Sequence, residues 1–241
     1  MKSAYLIEMT VFRDYARQLL GLGLLVSLCI GVGMQTPLAM PATLTCMFFM
    51  MATMGLAAYD ELNHWGLFRL TLPLSRRDVV LGRYAAIVTL GLMGMVVGLV
   101  GALIAIAAVT VIGVPGEVGQ AFSFDAELLA PMAFTTVFCL LIGSIVSSVV
   151  TPIYFRLGQT RATQILPTVI VLLFVVPVVI LGNSGMLDGG IPGMELLSAA
   201  LELLETPGGM AAGCALCIVV SALALGVSAA ISLKLYEKRE L

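Results

Sequence analysis

Charge is what this 241-residue chain has least of. Asp, Glu, Lys and Arg make up 11% of it, against roughly 25% in a soluble domain. Histidine and tryptophan occur once each, as His64 and Trp65. With 60% hydrophobic residues and a mean hydropathy of +1.10, too little polar surface remains to coat a water-soluble core, so the solvent is lipid. Ten-residue alternating segments are also missing, which argues against a membrane β-barrel. Helices remain, because a spanning element in lipid satisfies its own backbone polar groups. No G-x-x-x-x-G-K-[ST] occurs, so the chain holds no P-loop for ATP. Catalysis finds no convergent acid, base and nucleophile around the lone His64, and the ligands for a metal site are lacking. The chain is expected to be no enzyme by itself and to bind no cofactor or nucleic acid.

Six apolar runs reach the length of about 20 residues that spans hydrocarbon; they lie near 18–36, 41–58, 85–112, 128–152, 164–182 and 209–233. The first two are separated by "MQTPLAMP", where Pro37 and Pro41 favour a tight hairpin. With this division, all twelve Lys and Arg fall on one side. The opposite loops instead carry Glu117, Asp125, Glu127, Asp188, Glu195, Glu202 and Glu205. Basic residues are retained in the cytoplasm, so the expected architecture is an all-α polytopic membrane protein of six transmembrane helices with cytoplasmic termini. The first run is expected to be kept rather than cleaved as a signal, since Glu8 and Asp14 interrupt the charged region before it.

Within the runs, interior Asp, Glu, Lys, Arg and His are absent, which disfavours an ion-coupled carrier. The third run sets Gly91, Gly94, Gly98, Gly101, Ala105 and Ala108 at steps of three and four. Such a stripe suits close packing within one subunit, a dimer surface or a substrate pathway. Pro131, Pro152, Pro167 and Pro177 are expected to bend or end the fourth and fifth runs. Cys29, Cys46, Cys139, Cys214 and Cys217 all lie inside runs and read as small packing groups.

Outside the runs, two segments are amphipathic. Residues 1–17 present Tyr5, Met9, Phe12 and Ala16 on one face, a pattern suited to the inner membrane interface. Residues 185–207 include "MELLSAALELLE", with Glu195, Glu202 and Glu205 opposite a Leu/Ala face, suited either to lie on the outer bilayer surface or to dip in as a lid. The outer acids either attract cationic cargo or are simply permitted on that side.

The remaining charge gathers in "DELNHWGLFRLTLPLSRRDVV", residues 60–80. Leu62, Trp65, Phe68 and Leu72 share a helical face among Asp60, Glu61, His64 and Arg69, and Pro73 stops that helix. Ser75 and Asp78 have capping-box spacing, so a new helix is expected at Arg76 and Arg77. The shape suits an interfacial anchor or the docking element of a soluble partner.

The pattern Glu61, Trp65, Phe68, Leu72, Pro73, Ser75, Arg76, Val79, Val80, Arg83, Tyr84 resembles the first cytoplasmic loop of bacterial ABC-type-2 transporter permeases. "TPIYFRLG", from Thr151 to Gly158, resembles the end of their fourth span. Arg83 stands where Lys is more usual before the Tyr, which keeps the charge. The resemblance implies a permease in the bacterial inner membrane that couples to a separate ATP-binding cassette ATPase, on which ATP and Mg sit. Coupling would run through Asp60, Glu61, His64, Trp65, Phe68, Arg69, Pro73, Ser75, Arg76, Arg77 and Asp78. It further implies pairing with a second permease copy or a paralogue, and export of peptides, amphipathic or antimicrobial. The competing readings are a non-transporting scaffold or sensor that docks a cytoplasmic partner, and an ion-coupled carrier.

Overall fold

In a computed structural model of the chain, residues 2–62, 75–113, 115–116, 119, 121–122, 128–158, 168, 172 and 206–237 are described. They form five long helices: α1 (Lys2–Gly33), α2 (Ala39–Leu62), α3 (Arg76–Ile112), α4 (Leu129–Leu157) and α5 (Pro207–Glu237). All five are long and apolar enough to cross a membrane. Apart from residues 168 and 172, the expected span at 164–182 lies outside the described residues, as does nearly all of 185–207.

Local chemistry sets the ends of these helices. After α1, Gln35 takes a left-handed backbone at φ 52°, and the Thr36 hydroxyl accepts from Leu38 N–H at 3.3 Å, turning the chain into α2. Ser75 caps α3 by accepting from Asp78 N–H at 3.1 Å, so α3 begins at Arg76, as the capping-box spacing requires. Gly113 ends it at φ 66°, its N–H donating to Val109 O, the left-handed stop that glycine allows without strain. Thr206 Oγ1 accepts from Gly209 N–H at 3.1 Å, and Pro207 occupies the first helical position, where its missing N–H is harmless.

Two boundaries differ from expectation. α1 runs unbroken through its 32 residues, so the amphipathic segment and the first apolar run are one helix. Its stripe of Phe12 and Ala16 is covered by Phe49, Ala52, Leu56, Ala86, Ile87 and Leu90 of α2 and α3. At the second boundary, α2 continues past the apolar run to Leu62. At 1.5 Å per residue, α3's 37 residues extend about 55 Å, beyond the roughly 30 Å of hydrocarbon.

Contacts fix the directions. α2 runs antiparallel to both α1 and α3: Phe12 lies at Gly55 and Leu44 at Gly23, while Phe49 lies at Gly91 and Pro41 at Gly98. α2 runs parallel to α4, with Phe49 at Gly143 and Thr53 bonded to Ser147 at 2.8 Å. α4 runs parallel to α5, since Tyr84 and Ser148 both meet Ser228 while Phe155 meets Tyr236 seven to eight residues on. Arg13, Arg17, Arg76, Arg77, Arg83, Arg156 and Lys234 consequently occupy one half of the bundle, its basic end.

Burial is inverted relative to a soluble protein. Leu22, Leu25, Val96, Ile104, Leu216 and Leu223 are exposed, while Ser27, Thr45, Thr53, Ser144, Ser147 and Ser221 are buried. Most buried hydroxyls return to a carbonyl: Thr45 to Pro41 at 2.7 Å, Thr53 to Phe49 at 2.8 Å and Ser27 across to Met40 at 3.0 Å. Such bonds satisfy polar groups where no water reaches, whereas the buried Ser144 and Ser221 hydroxyls make none among the described residues.

The glycine stripe of α3 faces α2. A Cβ on Gly91 would stand 2.2 Å from the Phe49 ring, one on Gly94 2.6 Å from Phe48 Cβ, and one on Gly98 2.7 Å from Pro41 Cα. Beyond Gly98 the buried line passes to Ala102 and Ile106 rather than through Gly101, Ala105 and Ala108. Gly101 meets only the tip of Leu24, at 3.1 Å, and Ala108 is exposed.

Candidate functional site

At the basic end, α2 finishes and α3 starts on either side of residues 63–74. His64, Trp65, Phe68, Arg69 and Pro73 lie outside the described residues. The other expected coupling residues form two rims. Asp60 and Glu61 close α2; Ser75, Arg76, Arg77 and Asp78 open α3.

Arg83 joins those rims. It lies in the third turn of α3, one turn after buried Val79 and Val80, and its guanidinium enters the bundle, the residue being only 4% exposed. It reaches Asp60 Oδ2 of α2 at 2.6 Å and Glu8 Oε1 of α1 at 3.1 Å from Nη2. Nε also donates to Glu8 Oε1, at 3.2 Å. Paired and hydrogen-bonded, a buried charge is tolerable; alone it is not. Phe12, Tyr15 and Tyr59 stand edge-on around the same end of the α1–α2 contact, with ring centroids 5.0–6.3 Å apart.

The opposite flank of α3 is tied to α5. Arg76 donates to the Tyr236 carbonyl at 2.9 Å and lies 5.8 Å over the Tyr236 ring, a cation–π arrangement. Tyr236 in turn meets Phe155 of α4 edge-on at 5.3 Å. About two turns further along α3, the Tyr84 hydroxyl bonds Ser228 at 2.6 Å and Ser232 at 2.8 Å.

Pro152 inside α4 explains Ser228. Proline lacks the N–H that would bond the carbonyl four residues back, which is that of Ser148, and the Ser228 hydroxyl donates to it instead. The helix therefore continues through Pro152 to Leu157 rather than ending there. Replacing Ser228 with Ala should lower stability by about 1–3 kcal/mol by orphaning a buried acceptor. Ser232→Ala should cost less, since Tyr84 keeps Ser228. Thermal unfolding of the detergent-solubilised protein checks the order.

Of the remaining sites, Gly91, Gly94 and Gly98 are brought against α2, and Gly101 against Leu24. Glu195, Glu202 and Glu205 lie outside the described residues. Glu8 escaped sequence reasoning, yet its position carries a signal. It stands three residues after Tyr5 and four before Phe12, within the apolar stripe, where an acid needs a buried partner.

The site is thus a junction at the basic end of the bundle, where polar side chains hold the end of α2 and the start of α3 to α1 and α5. No curated protein matches the chain. The family model described as ABC-2 family transporter protein matches residues 9–237, a range that includes Arg83, Asp60, Tyr84 and Tyr236. The chain is a multi-pass membrane protein that belongs to the ABC-2 transporter family.

Proposed function

We propose that the chain is the permease subunit of an ATP-binding cassette exporter, driven by ATP hydrolysis on a separate ATPase subunit that holds ATP and Mg. The observation that carries this reading is the convergence of α2 and α3 on residues 63–74, with both rims anchored to the rest of the bundle, in a chain of this family. A partner seated there would act on helices. The coupling surface comprises Asp60, Glu61, His64, Trp65, Phe68, Arg69, Pro73, Ser75, Arg76, Arg77 and Asp78.

Six spans with both termini in the cytoplasm are part of the same reading. α4 and α5 run parallel, so the chain between Leu157 and Pro207 returns to the opposite end of the bundle; a span at 164–182 would make that return. Two permease copies, or this chain and a paralogue, would form the pathway in a bacterial inner membrane. Amphipathic peptides are the proposed cargo.

Co-purification of the solubilised chain with an ATP-binding cassette ATPase, and ATP-dependent movement of a labelled amphipathic peptide in proteoliposomes, are the expected results. Trp65→Ala with Arg69→Ala should weaken ATPase retention at least tenfold, because aromatic and Arg anchors dominate docking surfaces. Unchanged retention and transport would remove the coupling assignment. Transport that persists without ATP and collapses with an ion gradient would identify a secondary carrier instead.

A further inference from the structure

We infer that Arg83 is a positioning residue that fastens α1 to both rims of the coupling loop, so that a push on the loop is delivered to α1, α2 and α3 as one body. The inference rests on the reading of residues 60–80 as the ATPase-coupling loop, and adds to it a helix that lies outside that loop.

Three observations carry it. First, Arg83 bonds one carboxylate on each of two other helices, Glu8 and Asp60, so one side chain joins three helices. Asp60 stands two residues before Leu62, where α2 meets the loop, and Arg83 stands in the third turn after it. Second, the α1–α3 seam is close beside the ion pair. Tyr5 donates to Thr89 Oγ1 at 3.3 Å, and a Cβ on Gly82 would lie 3.0 Å from Ala4 Cβ and 3.1 Å from Tyr5 N. Third, the ionic choice itself needs a reason. A buried ion pair is a weak source of stability, and apolar residues of similar volume commonly serve as well. What directional bonds add is register, because the planar guanidinium offers its donors to the two carboxylates in a fixed fork.

Hydrogen exchange on the intact complex with its ATPase subunit tests this, with and without ATP and vanadate. In the wild type, residues 3–12 and 79–90 should change protection together when nucleotide is added. In Glu8→Met/Arg83→Met, residues 3–12 should exchange at least tenfold faster and no longer respond, while 79–90 and the ATPase still do. Asp60 keeps its access to water in that variant, its side chain being 26% exposed. Arg83→Lys, which retains the charge but not the fork, should fall between the two and serves if the double variant does not assemble. A variant whose residues 3–12 respond to nucleotide as the wild type does overturns the inference and leaves the exporter reading standing. A wild-type complex in which no part of the permease responds to nucleotide sinks both.

Discussion

Replacing Arg83 alone with methionine is expected to lower the stability of the folded protein by about 3–5 kcal/mol, the usual penalty for breaking a buried pair by removing one partner. Two carboxylates would remain: Glu8, buried at 5% exposure, and the half-buried Asp60. Neither loses its desolvation cost, and each loses its bond to the Arg83 guanidinium. The double variant with Glu8→Met should recover much of the loss, since the acid left buried is removed along with the cation. Chemical denaturation in detergent, followed by circular dichroism, gives both values. With the Glu8→Met single variant added, the non-additivity of the three values measures the coupling between residues 8 and 83. Equal losses in the single and double variants would mean that packing of the Arg83 stem, rather than its charge, holds the helices.

A second large effect is expected at Gly98. Alanine raises helix propensity over glycine by about 1 kcal/mol, so the sign of a Gly→Ala change depends on what the methyl meets. At Gly98 it meets the Pro41 Cα at 2.7 Å, a backbone atom that moves only if α2 moves. Overpacking of this kind costs about 1–3 kcal/mol, and Gly98→Ala should destabilise despite its better propensity. At Gly226 nothing lies within 4 Å, so Gly226→Ala should stabilise by up to about 1 kcal/mol. Opposite shifts of the thermal midpoint are the expected outcome. A stabilised Gly98→Ala would show that α2 and α3 are less closely seated than the glycines imply.

Much of the architecture was legible because membrane helices announce themselves by length and hydropathy, and because caps are local. Ser75 and Asp78 lie within one turn, so their spacing located the start of α3. Pro152 was legible as a perturbation but not in its outcome, since what rescues the Ser148 carbonyl is Ser228, 80 residues away. The junction at Arg83 was illegible for the same reason. Its partners are 75 and 23 residues distant, and periodicity reports which face is buried, not what it is buried against. The glycine stripe shows the intermediate case. Small residues at steps of three and four were evident, but the line that meets α2 turns from Gly98 to Ala102. A face extending over 18 residues cannot be followed by a fixed alternation, because 3.6 residues per turn drifts against it.

Phe49 has a consequence of its own. Its ring and Cβ fill hollows left by Gly91 on one neighbour and Gly143 on the other, where an added Cβ would stand 2.2 Å and 2.8 Å from it respectively. A cog engaged with two wheels cannot spin past either one. Rotation of α2 about its own axis would drive that side chain out of both recesses and into backbone, whereas tilting of the three helices together leaves it seated. Phe49 therefore gears α2, α3 and α4 together, so that α2 cannot turn alone.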